Sequence, residues 1–146
     1  MAITTCITNQ FKLDILKGGH QFGGTATGTF KWALYVTATM GATTNAYTAT
    51  AEITGTGYTA TGVGTAPTLS ASGTTTYVDF VDPQWTASSF TADGTLLYCS
   101  SIANGATTNG SIGLWDFSGP KTVSSGTFTI VLPTADTTNA ILRYTS

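Results

Sequence analysis

The clearest signal along the chain is an alternation of apolar and polar residues with a period of two, which is typical of strands buried on one face. Residues 29–36 and 128–132 alternate most regularly, and Pro133 ends the second run. We expect both segments to be strands that direct their apolar side chains into a core. Shorter candidate strands cover residues 49–53, 58–61, 76–81, 94–100, 112–117 and 140–144.

Turn-forming dipeptides separate these segments. No recurring helix lies between the candidate strands, which disfavours a parallel βαβ sheet. About eight short strands with turns at close intervals predict an all-β fold, a single β-sandwich that is either immunoglobulin-like or a jelly roll. The strongest turn dipeptides are Asp82-Pro83, Asp93-Gly94, Asn104-Gly105 and Asn109-Gly110.

The first residues of the chain follow a helical pattern. Thr8 or Asn9 can cap a short helix that continues to about Lys17, where Gly18-Gly19 would end it. A helix of this length is marginal in isolation and needs tertiary support. Its apolar face would carry Phe11, Ile15 and Leu16.

A glycine-rich connection over residues 18–28 separates this helix from the first long strand. The length of 146 residues suggests one globular domain. We therefore expect an N-terminal helix and connection over 1–28, followed by a β-sandwich domain over 29–146. On this division, removal of residues 1–22 would spare the β fold.

The charge content narrows the choice of partners. Charged residues are 8% of the chain, against about 25% in ordinary soluble proteins. The net charge is −2, and only five residues are Lys or Arg. Nucleic-acid affinity and attraction to anionic membranes both depend on clustered basic residues, and the sequence has no such cluster. We therefore expect neither nucleic acid nor membrane as a partner. The sequence shows no cleaved signal segment, so we also expect synthesis in the cytoplasm.

The sequence offers little for catalysis or metal binding. His20, the single histidine, lies in a glycine-flanked loop without a nucleophile motif, and we interpret it as an ordinary polar loop residue. Asp79 and Asp116 are the one pair of carboxylates considered for glycoside hydrolysis, but nothing brings them together. Cys6 and Cys99 match no zinc or redox spacing and are interpreted as separate thiols, although a disulfide stays open. We expect no catalytic residue, no metal and no cofactor.

Tryptophan leaves a second kind of function open. Trp32, Trp85 and Trp115 lie in or beside apolar strand segments, where core packing is the usual role of tryptophan. Trp85 follows Pro83 at the start of a strand and is the most exposed of the three by position. A carbohydrate-binding module would need such an exposed ring.

Several segments, in order and spanning residues 11–143, resemble a group of virion structural proteins of tailed bacteriophages. The segment 29–35, Thr-Phe-Lys-Trp-Ala-Leu-Tyr, resembles a strand common in that group, while Phe117-Ser118-Gly119 departs from the expected Phe-Gly at a turn. The other matching segments are 46–48, 52–58, 78–80, 85–86, 90–94, 115–117, 121–122, 126–130 and 132–136.

The resemblance implies a capsid decoration, or cement, protein. Such a protein is made in the host cytoplasm, lies on the exterior of the virion, and binds the major capsid protein in many copies, with self-association into trimers favoured. Alternatives are a tail, neck or fibre component, or the carbohydrate-binding module. For the interface with the shell or a sister subunit we expect Phe11, Ile15, Leu16, Phe22 and Trp85.

Overall fold

A computed structural model describes residues 2–23, 29–101 and 106–146. These residues confirm an all-β sandwich with one short N-terminal helix and eight strands. In chain order the elements are β1 (Cys6–Ile7), α1 (Asn9–Leu16), β2 (Phe30–Tyr35), β3 (Val63–Thr65), β4 (Pro67–Ser72), β5 (Thr75–Phe80), β6 (Gln84–Cys99), β7 (Gly110–Thr129) and β8 (Leu142–Thr145).

The strands form two antiparallel sheets. The larger sheet has the order β1-β7-β6-β2-β3, and the smaller has the order β4-β5-β8. The long strands β6 and β7 pair with each other. The C-terminal part of β6 also pairs with β2, from Phe30 opposite Cys99 to Tyr35 opposite Gly94. The larger sheet is therefore built on the β6–β7 hairpin.

The main core lies between the two sheets. The alternating face of β2 supplies Phe30, Trp32 and Leu34, all fully buried, as the sequence pattern predicts. From the smaller sheet, Phe80 meets the rings of Phe30 and Trp32 edge-on, with ring centroids 5.7 and 6.1 Å apart. Edge-to-face contacts of this kind add to the apolar area that the sheets bury.

The opposite face of the larger sheet is covered as well. Ala33 and Tyr35 of β2 are fully buried there, in a second cluster with Leu96, Tyr98 and Leu114. The cover consists of the long connection 36–62 and the first residues of the chain, which contribute Met40 and Ile3. β2 is thus buried on both of its faces.

Tyrosine hydroxyls fasten the 36–62 connection to the sheet. The carboxylate of Glu52 accepts hydrogen bonds from Tyr47 and Tyr58, each at 2.6 Å, and from the backbone N–H of Thr61 at 2.8 Å. Tyr35 and Tyr98 donate to backbone carbonyls of the same connection. Burial, followed by the hydrogen bond to Glu52, raises the pKa of Tyr58, so its hydroxyl keeps its proton and remains a donor.

The N-terminal segment is bound into the sandwich. Cys6 and Ile7 pair with Leu114 and Gly113 of β7. Thr8, which caps α1 as expected, is fully buried and is hydrogen-bonded to Ser111. The expectation that residues 1–22 can be removed without harm to the β fold is therefore corrected, because their removal would strip the edge of β7 and uncover the core.

Several local predictions are wrong. Residues 49–53 and 58–61 are not strands; they belong to the irregular 36–62 connection. Asp93-Gly94 is not a turn but lies within β6 at a register shift, where a side chain at Gly94 would approach the carbonyl of Trp115. Asn109-Gly110 does form the turn into β7, with Asn109 at φ 53°. The predicted turn Asn104-Gly105 lies outside the described residues.

We predict that Thr8→Val lowers the free energy of unfolding by about 1–3 kcal/mol, because buried partners of the hydroxyl are left unsatisfied. These partners are the backbone N–H of Phe11, which donates to the hydroxyl, and the backbone carbonyl of Ser111, which accepts from it. The change is measured by urea denaturation. Thr8→Ser keeps the hydroxyl and should retain most of the stability; equal losses in both variants would contradict this role.

Tyr58→Phe should likewise cost about 1–3 kcal/mol, because the Tyr58 hydroxyl both donates to Glu52 and accepts from the backbone N–H of Leu34. Denaturant midpoints and slopes report the loss. Tyr144→Phe removes the same group from a side chain that is 82% exposed, and it should stay within about 0.5 kcal/mol of the parent.

Candidate functional site

An apolar groove of about 430 Å³ lies between α1 and the smaller sheet. The register of the smaller sheet explains its floor. Val78 of β5 lies between Leu69 of β4 and Leu142 of β8, so these three side chains share one face. The neighbouring position pairs Thr76 with Tyr144 on that same face.

The other wall of the groove comes from the N-terminal segment. Phe11 is buried, and its ring centroid lies 6.0 Å from that of Phe22. Phe22 in turn stacks on Phe30 of β2 at 4.8 Å. Ile15 lies one helical turn after Phe11, also lines the groove and is 45% exposed. The wall is therefore anchored in the main core and open towards solvent.

Exposed apolar side chains concentrate around this groove. Leu16 at the end of α1 is 85% exposed, and Tyr144 of β8 is 82% exposed. A contiguous apolar surface on a soluble protein is typical of an interaction site. Of the seven large apolar side chains that are exposed in the described residues, five belong to α1 or the groove: Leu13, Ile15, Leu16, Leu69 and Tyr144.

The structure places four of the five expected interface residues on or beside this surface. Phe11, Ile15 and Phe22 line the groove, and Leu16 projects from the same helix. Phe11, however, is itself buried, and it supports the groove more than it offers free surface. The expectation that Phe11, Ile15 and Leu16 share one apolar face is corrected, since the buried positions of α1 are Phe11 and Asp14.

Trp85 is a clear correction. It is 4% exposed and packs among Tyr58, Phe90 and Phe128, with ring centroids 6.0–6.4 Å apart. The position of Trp85 near Pro83 predicted an exposed strand edge. Tyr58 of the 36–62 connection and Phe128 near the C-terminal end of β7 instead enclose the ring. Trp32 is fully buried and Trp115 half-buried, so the tryptophans provide no open platform for a sugar ring.

The sequence reasoning missed the opposite wall. Leu69 and Tyr144 lie in segments rich in Thr and Ser, where no strong apolar periodicity marks a binding face. The candidate strand 140–144 was the available signal, and it is confirmed in part as β8. Only the pairing of β8 with β5 brings these residues opposite α1.

His20 is also corrected, because it is not an ordinary polar loop residue. It is 4% exposed, and its Nε2 lies 3.4 Å from Oδ2 of Asp14, which is itself fully buried. Asp14 accepts hydrogen bonds from the side chain of Gln10 at 2.9 Å and from the backbone N–H of Thr107 at 3.1 Å. This pair ties α1 to the turn before β7.

The two groups differ in how burial affects their charge. Burial opposes ionisation of Asp14, but the hydrogen bonds from Thr107 and Gln10, with His20 nearby, outweigh it and hold the pKa of Asp14 below its ordinary value. For His20, burial lowers the pKa, and Asp14 offsets only part of the shift. At neutral pH the site therefore holds a carboxylate beside a neutral imidazole.

The remaining chemistry is sparse. Asp79 lies in the smaller sheet and Asp116 in the larger. Cys6 and Cys99 are free thiols. Within residues 2–23, 29–101 and 106–146, no three His, Cys, Asp or Glu side chains group to hold a metal ion. No helix in that part of the chain has the length and apolar character to cross a membrane.

Comparisons with protein-family models, with curated proteins and with solved structures find no match to this chain.

We predict that iodide quenches only a minor share of the tryptophan fluorescence of the folded protein, because Trp32 and Trp85 are shielded from solvent. The measurement is a Stern–Volmer titration in native buffer. The same chain in concentrated denaturant serves as the control and should be quenched in full. Quenching of the native protein to the denatured level would contradict the burial of Trp85.

Proposed function

We propose that this protein is a non-enzymatic virion structural protein of the capsid-decoration type, which binds the outer surface of the major capsid protein shell. The resemblance of its ordered segments to tailed-phage virion proteins supports the proposal. The absence of a catalytic constellation in the sequence is consistent with it. Decoration requires a surface for protein contact, and the groove with its exposed apolar rim is the best candidate for that surface.

The observation that carries the proposal is the exposed apolar end of α1 beside the groove. Ile15 of the helix lines the same groove as Leu69 and Tyr144 of the smaller sheet, and Leu16, the next residue and the last of α1, is 85% exposed. Burial of such side chains stabilises a complex by about 1.5–3 kcal/mol each. Because the chain is 8% charged, apolar contact would contribute more to binding than ion pairs.

Binding in many copies would strengthen a modest contact. A standard protein interface buries roughly 1,600 Å² in total. If copies also contact one another, as in the trimer that we favour, each subunit binds at the effective concentration set by its neighbours. A decoration layer could then hold the shell together even though each single contact is weak.

We predict that Leu16→Glu weakens binding to purified shells roughly tenfold to a hundredfold, because one buried leucine is lost from the contact. Glutamate is a good helix former, so α1 should be retained. Val131→Glu is the matched control, since Val131 is 78% exposed and belongs neither to α1 nor to the groove. Binding is measured by co-sedimentation with shells that lack the protein.

The number of bound copies separates a shell location from a tail location. Quantitative mass spectrometry of purified particles should give about one copy per capsid subunit, or a simple fraction of that. A handful of copies per particle would place the protein in the tail, neck or fibre. If Leu16→Glu and Val131→Glu weakened shell binding equally, α1 would not be part of the interface.

A further inference from the structure

His20, the only histidine of the chain, lies where α1, the turn before β7 and the groove wall meet. Its imidazole packs against the ring of Phe11, with centroids 5.3 Å apart. A Cβ added to Gly110 would lie 3.2 Å from its Cε1, so β7 closes the site on another side. Among the described residues, neither ring nitrogen has a hydrogen-bond partner. Nearly every buried polar group in a folded protein has a partner, so an unpartnered imidazole needs an explanation.

The charged groups around His20 are few. From α1, the carboxylate of Asp14 faces Nε2 at 3.4 Å, and Lys17, at the C-cap, lies 3.5 Å from the same carboxylate. From the turn before β7, Thr107 presents a backbone N–H to Asp14 and Gly110 presents backbone alone. Within the described part of the chain, Asp14 is the charged group that acts on His20, and it raises the pKa of the imidazole.

We propose that His20 is a pH-sensitive latch, whose protonation releases the segment 19–23 and loosens the groove wall formed by Phe11 and Phe22. The neutral ring carries a single N–H donor, and on Nε2 that donor would face the carboxylate of Asp14. The imidazolium carries two N–H donors, and Asp14 can satisfy only the one on Nε2. The donor on Nδ1 would stay buried beside Phe11 without an acceptor, and the charged ring reaches water only if it leaves the site.

The backbone favours the same release. His20 adopts φ 56°, in the left-handed region, which is uncommon for residues other than glycine although histidine enters it more often than most. Such a conformation persists only where the surroundings hold it in place. The preceding residue is tightly packed, because a Cβ on Gly19 would lie 2.5 Å from the Cβ of Ala106. Close contacts with the turn before β7 therefore hold the backbone next to His20 in place.

The groove would respond through its aromatic side chains. Phe11 touches both His20 and Phe22, and Phe22 stacks on Phe30 of the core. When His20 leaves, Phe11 loses one side of its packing and the connection to Phe22 becomes solvent-accessible. Acid would thus change the shape of the wall opposite Leu69 and Tyr144. The latch belongs to the free protein and does not depend on what the groove binds.

The sign of the pH effect follows from linkage. In the closed state the pKa of His20 lies below its ordinary value because burial dominates. In the released state the imidazole binds protons near its ordinary pKa of about 6.5. Release is therefore suppressed above that pH and grows as the pH falls, by at most about tenfold per pH unit for one proton. Between pH 5 and 7 no other side-chain type has its ordinary pKa, so this window isolates His20.

Two measurements on the full chain test the latch. The first is an NMR titration of the single imidazole, for which we expect a pKa below 6.5. The second is hydrogen exchange at pH 5–7, corrected for the intrinsic rate. The backbone N–H of Gly19, bonded to the carbonyl of Asp14 at 2.8 Å, reports release. The N–H of Ile53, bonded to the carbonyl of Leu34, is the distant reference. We expect the protection of Gly19 to fall with pH and that of Ile53 to stay constant.

His20→Asn is the decisive variant, because asparagine accepts a left-handed backbone and does not titrate in this range. The protection of Gly19 should become independent of pH between 5 and 7. Adding Gln21→His to that variant restores a histidine one residue away, in a half-buried position, and should not restore the pH dependence. The proposal is overturned by an imidazole pKa at or above 6.5, or by a pH-independent Gly19 in the parent protein. Persistence of the full pH dependence in His20→Asn would overturn it too.

Discussion

The structure depends on one constraint, which is that the central strand β2 is buried on both faces. Phe30, Trp32 and Leu34 face the smaller sheet, while Ala33 and Tyr35 face the other way and are equally inaccessible. A two-layer sandwich covers only the first of these faces. The connection 36–62 and the first residues of the chain must cover the second, and this requirement sets the course of about a fifth of the molecule.

Covering a sheet with irregular chain is difficult, because such chain carries backbone groups that need partners. This protein solves the problem with hydroxyl groups and one carboxylate. Glu52 gathers two tyrosine hydroxyls and one backbone N–H, while Tyr35 and Tyr98 satisfy carbonyls of the cover. A chain that is poor in charged residues can therefore still provide hydrogen-bond partners for the buried backbone groups of this cover, because hydroxyl groups supply them.

The fold could be predicted where local signals agree with tertiary packing. The alternation over 29–36 and the capping threonine of α1 both give the correct elements, because one face or one hydroxyl decides each. The prediction failed where long-range contacts decide. Residues 49–53 look like a strand. In the structure, the N–H of Ile53 instead donates to the carbonyl of Leu34 in β2, and the carboxylate of Glu52 accepts from tyrosine hydroxyls. Gly94 looks like a turn glycine, yet it allows β6 to approach the carbonyl of Trp115.

Only half of the candidate site could be predicted from the sequence, because long-range contacts form the other half. Phe11, Ile15 and Phe22 are close in sequence and stand out as apolar residues among glycines and polar residues. Leu69 and Tyr144 lie far from them and from each other in the sequence, and the register of β4, β5 and β8 places both on one face of the smaller sheet. The burial of His20 had no sequence signal, since its environment is made by Phe11, Asp14 and the turn before β7.

The hydroxyl contact between Thr8 and Ser111 has a consequence for how the chain acquires its structure. The two residues are separated by 103 positions, so α1 gains its buried cap only after about three quarters of the chain has been synthesised. At typical translation rates the first residues wait roughly 5–20 s for that partner. Contacts of such high sequence separation are associated with slow folding. The segment that leaves the ribosome first therefore waits for β7, and the chain must keep its earliest apolar side chains out of wrong contacts until then.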